Sequence, residues 1–270
     1  MSAIVNVLHL TDIHLSASAQ GTLCGLNTRD SFSTVLSHAR QSAGPSSRYP
    51  WPPDLILATG DISQDQSAES YELFRDVFRT AGSPVYCLPG NHDDASLMQT
   101  LYGEGPVQYK SRIDTGDWQI LMLNSAVPKK NHGHLAENEL TYLDRALEKS
   151  PKHAIVSLHH NPLPVGSAWL DKMVLDNAAA LWTIIDRYPH VRAVLFGHIH
   201  QEYMGARGKV QLIATPSTCI QFLPKSGPFK LDVATPGFRR LRLHPDGRIE
   251  TSLERLPSYP GRVEFESAGY

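Results

Sequence analysis

The sequence predicts an α/β fold. Short apolar runs alternate with segments of helical periodicity over the first 200 residues or so. Glycine, proline and asparagine punctuate the boundaries. Each of five short polar motifs follows an apolar run, and in open α/β sheets sites form outside the carboxyl ends of strands.

Taken in order, Ile4 to Leu10 reads as a buried strand with Thr11 to His14 at its exit. Thr28 is placed to cap a helix running to about Ala43, with Phe32, Val35, Leu36 and Ala39 on one face. Prolines mark residues 44–53 as a loop. Asp54 to Ala58 reads as a second strand, and Ser67 to Ala81 as a helix with Leu73, Phe74, Val77 and Phe78 inward, closed by Gly82 and Pro84. Val85 to Leu88 and Trp118 to Leu123 are further strands, followed by a helix from about Glu137 to Lys149. Ala154 to Leu158 is a strand, Asp176 to Tyr188 a helix and Ala193 to Phe196 a strand. From about Val210 the pattern changes to strands and turns. There Phe238 to Leu243 and Ile249 to Leu256 flank a hairpin turn at His244-Pro245-Asp246-Gly247. The expected division is a catalytic core over 1–209 and a strand-rich extension over 210–270, packed on it within the same domain.

Bulk properties narrow the partners. A hydrophobic content of 41% and a charged content of 19% are ordinary for a globular chain of 270 residues. The net charge of −2 gives no electrostatic reason to expect nucleic acid. There is no basic amphipathic helix to suggest a membrane partner. Cys24, Cys87 and Cys219 are odd in number and far apart, which argues against a disulfide framework. Cys87 is expected in the core and Cys219 in a partly exposed loop. With neither a signal peptide nor an 18-residue apolar stretch, the expectation is a cytoplasmic protein.

The motifs are Asp12-Ile13-His14, Gly60-Asp61, Gly90-Asn91-His92-Asp93, His159-His160-Asn161-Pro162 and Gly197-His198-Ile199-His200. Singly each is weak: Gly-Asn-His-Asp is also good turn chemistry. The ordered set, each member at a strand exit, carries the inference of a two-metal site. Two neighbouring cations need a bridging anion, and Asp61 is the candidate. Asp12 and His14 are then placed to hold one ion with His200, and Asn91, His159 and His198 to complete the other. Mixed Asp, His and Asn donors suit iron, manganese or zinc rather than calcium or magnesium. Such a pair, about 3.5–4 Å apart, holds a hydroxide and clamps a phosphate during in-line displacement. His92 is assigned to protonating the leaving oxygen or stabilising phosphoryl charge, with Asp93 orienting it. His160 is expected to pack behind His159, and His132 and His134 to be solvated loop residues. Trp169, Leu170 and Trp51 are candidates to line a base pocket, and Thr218, Cys219 and Gln221 to rim the site.

The combined string D-x-H, G-D, G-N-H-D, H-x-x-P, G-H-x-H resembles the calcineurin-like metallophosphoesterase superfamily over roughly residues 4 to 200. The resemblance implies a four-layer αββα sandwich, with Asp12, His14, Asp61, Asn91, His159, His198 and His200 as metal ligands. Asn91, His92 and His198 are the positions expected to meet substrate. After Asp61 the chain reads Ile62-Ser63-Gln64-Asp65, not the D-x-x-D-R-G of protein phosphatases, and Asp93 stands where those enzymes usually carry Glu. Residues 214–222 and Pro236-Gly237-Phe238-Arg239 are similar to bacterial class III cyclic nucleotide phosphodiesterases. That subfamily implies hydrolysis of 3′,5′-cyclic AMP to 5′-AMP by a metal-bound hydroxide, with iron and/or manganese in the site. The alternatives are 2′,3′-cyclic nucleotides, glycerophosphodiesters and a non-catalytic metallo-scaffold. The partner implied is a small cyclic nucleotide, and strand edges beyond Val210 leave room for a homodimer.

Overall fold

The computed structural model describes residues 3–43 and 47–269, so Gly44 to Ser46 of the Pro-rich loop lie outside the described residues. Along the chain run β1 (Val5–Leu10), β2 (Thr22–Leu23), β3 (Leu26–Asn27), α1 (Thr28–Gln41), β4 (Leu55–Thr59), α2 (Ala68–Val77) and β5 (Val85–Leu88). There follow α3 (Ala95–Leu101), β6 (Val107–Tyr109), β7 (Arg112–Thr115), β8 (Trp118–Met122), α4 (Glu137–Lys149) and β9 (His153–Ser157). The last are α5 (Ala178–Ile185), β10 (Val191–Phe196), β11 (Tyr203–Arg207), β12 (Val210–Ala214), β13 (Gly237–Leu243) and β14 (Ile249–Arg255). No helix among the described residues is long and apolar enough to cross a membrane.

Two six-stranded sheets face each other, ordered β14-β13-β1-β4-β5-β6 and β11-β12-β10-β9-β8-β7. The period-2 alternation of the strands explains why they stack. In β1, Val5 and Val7 point between the sheets, while Leu8 and Leu10 point outward beneath helices. The inner layer includes Leu57, Trp118, Ile120, Ile155, Leu195 and Ile213. Phe32 of α1 and Tyr71 and Phe74 of α2 cover the first sheet, and Leu143 and Leu147 of α4 with Leu181 and Ile185 of α5 cover the second. The layers are therefore helix, sheet, sheet, helix.

The helix starts follow their capping chemistry. Asn27, not Thr28, caps α1 by accepting from the Asp30 N–H, and Thr28 is its buried first residue. Ser67 caps α2 in the same way. Leu73 and Val77 are only partly buried on that helix, while Tyr71 and Phe74 fill the core position. The strands absent from the sequence reading are short or polar: β2 and β3 are two residues each and pair only with one another, and β6, β7 and β11 lie at sheet edges, where no continuous apolar run is required. β12 runs parallel to β10, and β13 runs antiparallel to β1. The β13–β14 hairpin forms at its predicted place. Its His244, expected at the surface, is buried beside Glu250 and Arg248.

Candidate metal centre

All five motifs lie just beyond the carboxyl ends of parallel strands. β1 delivers Asp12 and His14, β4 Asp61, β5 Asn91, β9 His159 and β10 His198 with His200. Because both sheets present the same edge, residues as far apart in the chain as Asp12 and His200 converge. His14 and His200 approach Nε2 to Nε2 at 3.2 Å, and His200 Nε2 lies 3.3 Å from Asp12 Oδ1. His159 Nε2 is 3.2 Å from Asn91 Oδ1 and 3.2 Å from Asp61 Oδ2. On its other side Asp61 Oδ2 is 3.7 Å from His14 Nε2, so one carboxylate oxygen faces both groups. His198 joins Asp61 and His159, with one ligand atom of each within 4.8 Å of the others.

The backbone is bent to make this possible. Of the nine non-glycine residues with positive φ among those described, five are Asp12, His14, Asp61, His198 and His200. Each left-handed residue costs on the order of 1–2 kcal/mol, and such strain concentrates at functional sites. Asp and His are also among the residues that best tolerate it. The motif glycines supply the room. A Cβ on Gly90 would collide with Asp61 Oδ1, and Gly60 combines a φ of 95° with the close approach of His159.

Hydrogen bonds fix the ring orientations. His14 Nδ1 meets Gln64 Oε1 at 2.6 Å, His159 Nδ1 meets the Thr59 carbonyl at 2.8 Å and His200 Nδ1 meets the Ile220 carbonyl at 2.9 Å. An acceptor at Nδ1 keeps the proton there and leaves the Nε2 lone pair facing the centre, as a metal-binding imidazole needs. Asp61 Oδ1 accepts the His92 backbone N–H at 2.9 Å, and both Asp12 oxygens accept the His198 N–H at 3.1 Å.

Electrostatics divide the histidines by their distance from the two buried carboxylates. Burial opposes the charge on Asp61, but His159 and His92 outweigh it and hold the carboxyl well below its usual range. Burial likewise opposes charge on His159, and the carboxylates of Asp61 and Asp12 overcome it, raising this imidazole to about 9, so a cation held there has to displace the proton between His159 Nε2 and Asp61. Burial keeps His14 and His198 neutral, each lowered to about 3. Among the described residues, the ion-pair partners of Asp12 and Asp61 are all histidines.

These residues fit a pair of metal ions. Both ring nitrogens of His198 are buried with no hydrogen-bond partner, an arrangement that costs free energy unless a ligand satisfies it. The 3.2–3.7 Å separations between donor atoms match ligands that share an ion at about 2.0–2.2 Å bond lengths.

Other expectations fare unevenly. The His92 ring lies 5.0 Å from that of His14, with a nitrogen clustered with His14 and Asp61, and it lines a cavity beside the centre. Asp93 does not turn toward it. Its carboxylate accepts the N–H groups of Gly90, Ile62 and Ser63 and the Tyr71 hydroxyl. Three amides converge there, so Asp93 ties the loop carrying Asp61 to the loop carrying Asn91 and does not orient the His92 imidazole. Burial and the nearby Asp61 charge push its carboxyl up to about 7 despite those donors. His160 is buried behind the ligands, bonded to Ser125 and packed on the His198 ring. His132 and His134 are solvent-accessible loop residues, as expected, and flank Asp176. Thr218, Cys219 and Gln221 do not rim the site: they are fully buried beneath it, where Cys219 packs beside His14 and His200. Trp51 packs against the first sheet's helices and under Arg40, and Leu170 is buried in the core, so neither lines a base pocket. Trp169 does line a cavity beside His92 and His198. The sequence reading missed Gln64, Thr59 and Ile220; only Gln64 left a trace, as a polar side chain just after Asp61.

Fold and centre together define a class. Residues 5–202 match the calcineurin-like phosphoesterase family, and the chain belongs to it. Within that class it is 40% identical to the 3′,5′-cyclic adenosine monophosphate phosphodiesterase CpdA of Pseudomonas aeruginosa, over 99% of this chain and 96% of the relative. Identity to the CpdA of Escherichia coli K12 is also 40%, with the same coverage. Among solved structures, a dimetal phosphatase from Danio rerio superposes with a TM-score of 0.60 at 13% identity, covering 93% of this chain and 98% of that one. That likeness is one of fold alone.

Proposed function

We propose that this chain is a dinuclear-metal phosphodiesterase that hydrolyses 3′,5′-cyclic AMP to 5′-AMP. The observation that carries the reading is Asp61 Oδ2, which His14 and His159 approach from opposite groups of ligands. The full-length similarity to the two CpdA phosphodiesterases supplies the substrate.

Asp12, His14, Asp61 and His200 would hold one ion, and Asp61, Asn91, His159 and His198 the other. Bound there, the pair supplies Lewis acidity to the phosphoryl oxygens and lowers the pKa of water beside them. The mixed oxygen and imidazole donors favour iron and/or manganese, with zinc as the third candidate. The chain's own residues do the remaining work. Asn91 presents its amide beside the reacting phosphate, and His198 lines the same side. Water adds to phosphorus and gives up a proton to solvent, the P–O3′ bond breaks and O3′ takes up a proton, which the His92 imidazole is placed to relay. His92→Ala is expected to lower kcat by about 10²–10⁴. Asp93 holds both ligand loops in register.

In this reading residues 210–270 belong to the same domain as 1–209, since β12 pairs with β10 and β13 with β1. β11 and β14 end their sheets and give a second copy strands to pair with, the basis for a homodimer. Three unbridged cysteines suit the reducing cytoplasm.

The experiment is hydrolysis of 3′,5′-cyclic AMP by protein supplied with iron or manganese, beside Asn91→Ala, a chromogenic diester and glycerophosphocholine. Formation of 5′-AMP by wild type and not by the variant is the expected result. Cleavage of the chromogenic ester or glycerophosphocholine alone would keep the centre and remove the nucleotide.

A further inference from the structure

Two concavities open beside Asn91, and they differ in kind. One, of about 490 Å³, is walled by Asp93, Asp94, Ser96, Asn124 and Lys129. The other, of about 310 Å³, has Asn91, His92 and His198 at its metal end and Trp169, Met173 and Phe229 along its wall. A purine is a flat apolar ring with polar edges, and it gains most from an aromatic face. The first concavity offers it carboxylates, amides, a lysine and the aliphatic side chains of Ala126, Val127 and Pro128, but no aromatic face; the second offers it an indole and a phenyl ring.

Trp169 is held in place before any ligand arrives. The Asp171 carboxylate accepts the N–H groups of Val165 and Gly166, at 2.7 and 3.0 Å, closing the loop that leads to the indole. Ser167 Oγ accepts the Lys225 N–H at 3.0 Å, and the Ala168 N–H donates to the Ser226 carbonyl at 3.1 Å. The loop of Trp169 is thus stitched to the loop of Phe229. The indole meets Phe222 and Phe229 edge to face, with centroids 5.0 and 5.1 Å away. Phe222 in turn stacks on the ligand His200 at 4.1 Å. The wall is registered to the metal end by direct packing, and preorganisation of this kind limits the ordering cost of binding.

We propose that Trp169 is the specificity-determining residue of this site: its indole, with Met173 and Phe229 beside it, receives the base of the cyclic nucleotide while the phosphate lies at the metal end. This rests on the phosphodiesterase reading above and deepens it. No bond changes at Trp169; it acts on binding, so its effect belongs in KM and not in kcat.

The test compares 3′,5′-cyclic AMP with the 3′,5′-cyclic phosphate of 1-deoxyribose, which has the same reacting ring and no base. Wild type, Trp169→Ala and Trp169→Phe are assayed with both, and calorimetry measures 5′-AMP and ribose 5-phosphate binding. Loss of one base–aromatic stack corresponds to a factor of about 5 to 150 in binding. Trp169→Ala should raise KM for cyclic AMP, and Kd for 5′-AMP, by that factor. Its turnover of the abasic diester should stay within about twofold of wild type, which also reports an intact fold and centre; Trp169→Phe should recover most of the loss. Equal losses on both substrates, or an unchanged KM for cyclic AMP, would overturn the base wall and leave the phosphodiesterase reading standing. Wild type that cleaves the abasic diester but not cyclic AMP would overturn both.

Discussion

The two sheets bring different chemistry to the same edge. The sheet built on β1, β4 and β5 supplies both carboxylates, the Asn91 amide and the imidazoles of His14 and His92; the sheet built on β9 and β10 supplies three imidazoles and no charge of fixed sign. Neither half is a metal site alone. In the proposed assignment one group takes Asp12, His14 and Asp61 from the first sheet and His200 from the second. The other takes Asp61 and Asn91 from the first and His159 and His198 from the second. A cation in either position is therefore also a cross-link between sheets, and catalysis and stability are coupled through the same atoms. The halves also steady their histidines differently. His14 leans on a side chain, Gln64, while His159 and His200 lean on backbone carbonyls that substitution cannot remove.

The comparison breaks most completely at Asp61, the one residue common to both groups. Asp61→Asn keeps the shape and removes the shared charge, and kcat should fall by on the order of 10³-fold or more, since each such charge interaction is worth several kcal/mol. Steady-state turnover of cyclic AMP reads this directly. Removing the cross-links is the next largest effect. With free metal at about 1,000 times Kd, binding adds about 4 kcal/mol to stability. A chelator should then lower Tm by roughly 10 °C in a chain of this size, readable by scanning calorimetry. The asymmetry of support predicts that Gln64→Ala weakens metal binding by about 10–100-fold, measured by competition with a chromophoric chelator.

The smallest effect lies under the centre. His9 joins Thr59 at the end of β4 to Thr215 beyond β12, a polar strut between the sheets. Burial, reinforced by Arg239, lowers its imidazole to about 3. Between that value and the unfolded value of about 6.5 the unfolded chain binds more protons. The strut's stability is therefore complete above pH 6.5 and is lost as pH falls toward 3. In urea titrations of metal-free protein, wild type should lose about 2 kcal/mol more than His9→Asn between pH 7.5 and 5.

Much of this architecture was legible in the sequence because its signals are local. An apolar run followed by a glycine and a ligand locates β4 with Asp61 and β10 with His198 without any knowledge of the partner strand. The edge strands β6, β7 and β11 gave no such run, since an edge needs no two-sided burial. The left-handed backbone at Asp12, His14 and His200 leaves no compositional mark, because the residue types are dictated by ligation and the strain by geometry. The carbonyls of Thr59 and Ile220 carry no side-chain signature at all. Asp93 was misjudged for a related reason: its direction is set by three amide groups drawn together only when the two loops meet.

The central claim is that two ions are held jointly by both sheets around Asp61. Equilibrium dialysis against manganese followed by elemental analysis tests it most directly, on wild type, His200→Ala, His159→Ala and Asp61→Asn. The account predicts two ions per wild-type chain, close to one for either histidine variant and less than one for Asp61→Asn. One ion per wild-type chain, or two retained by Asp61→Asn, would contradict it.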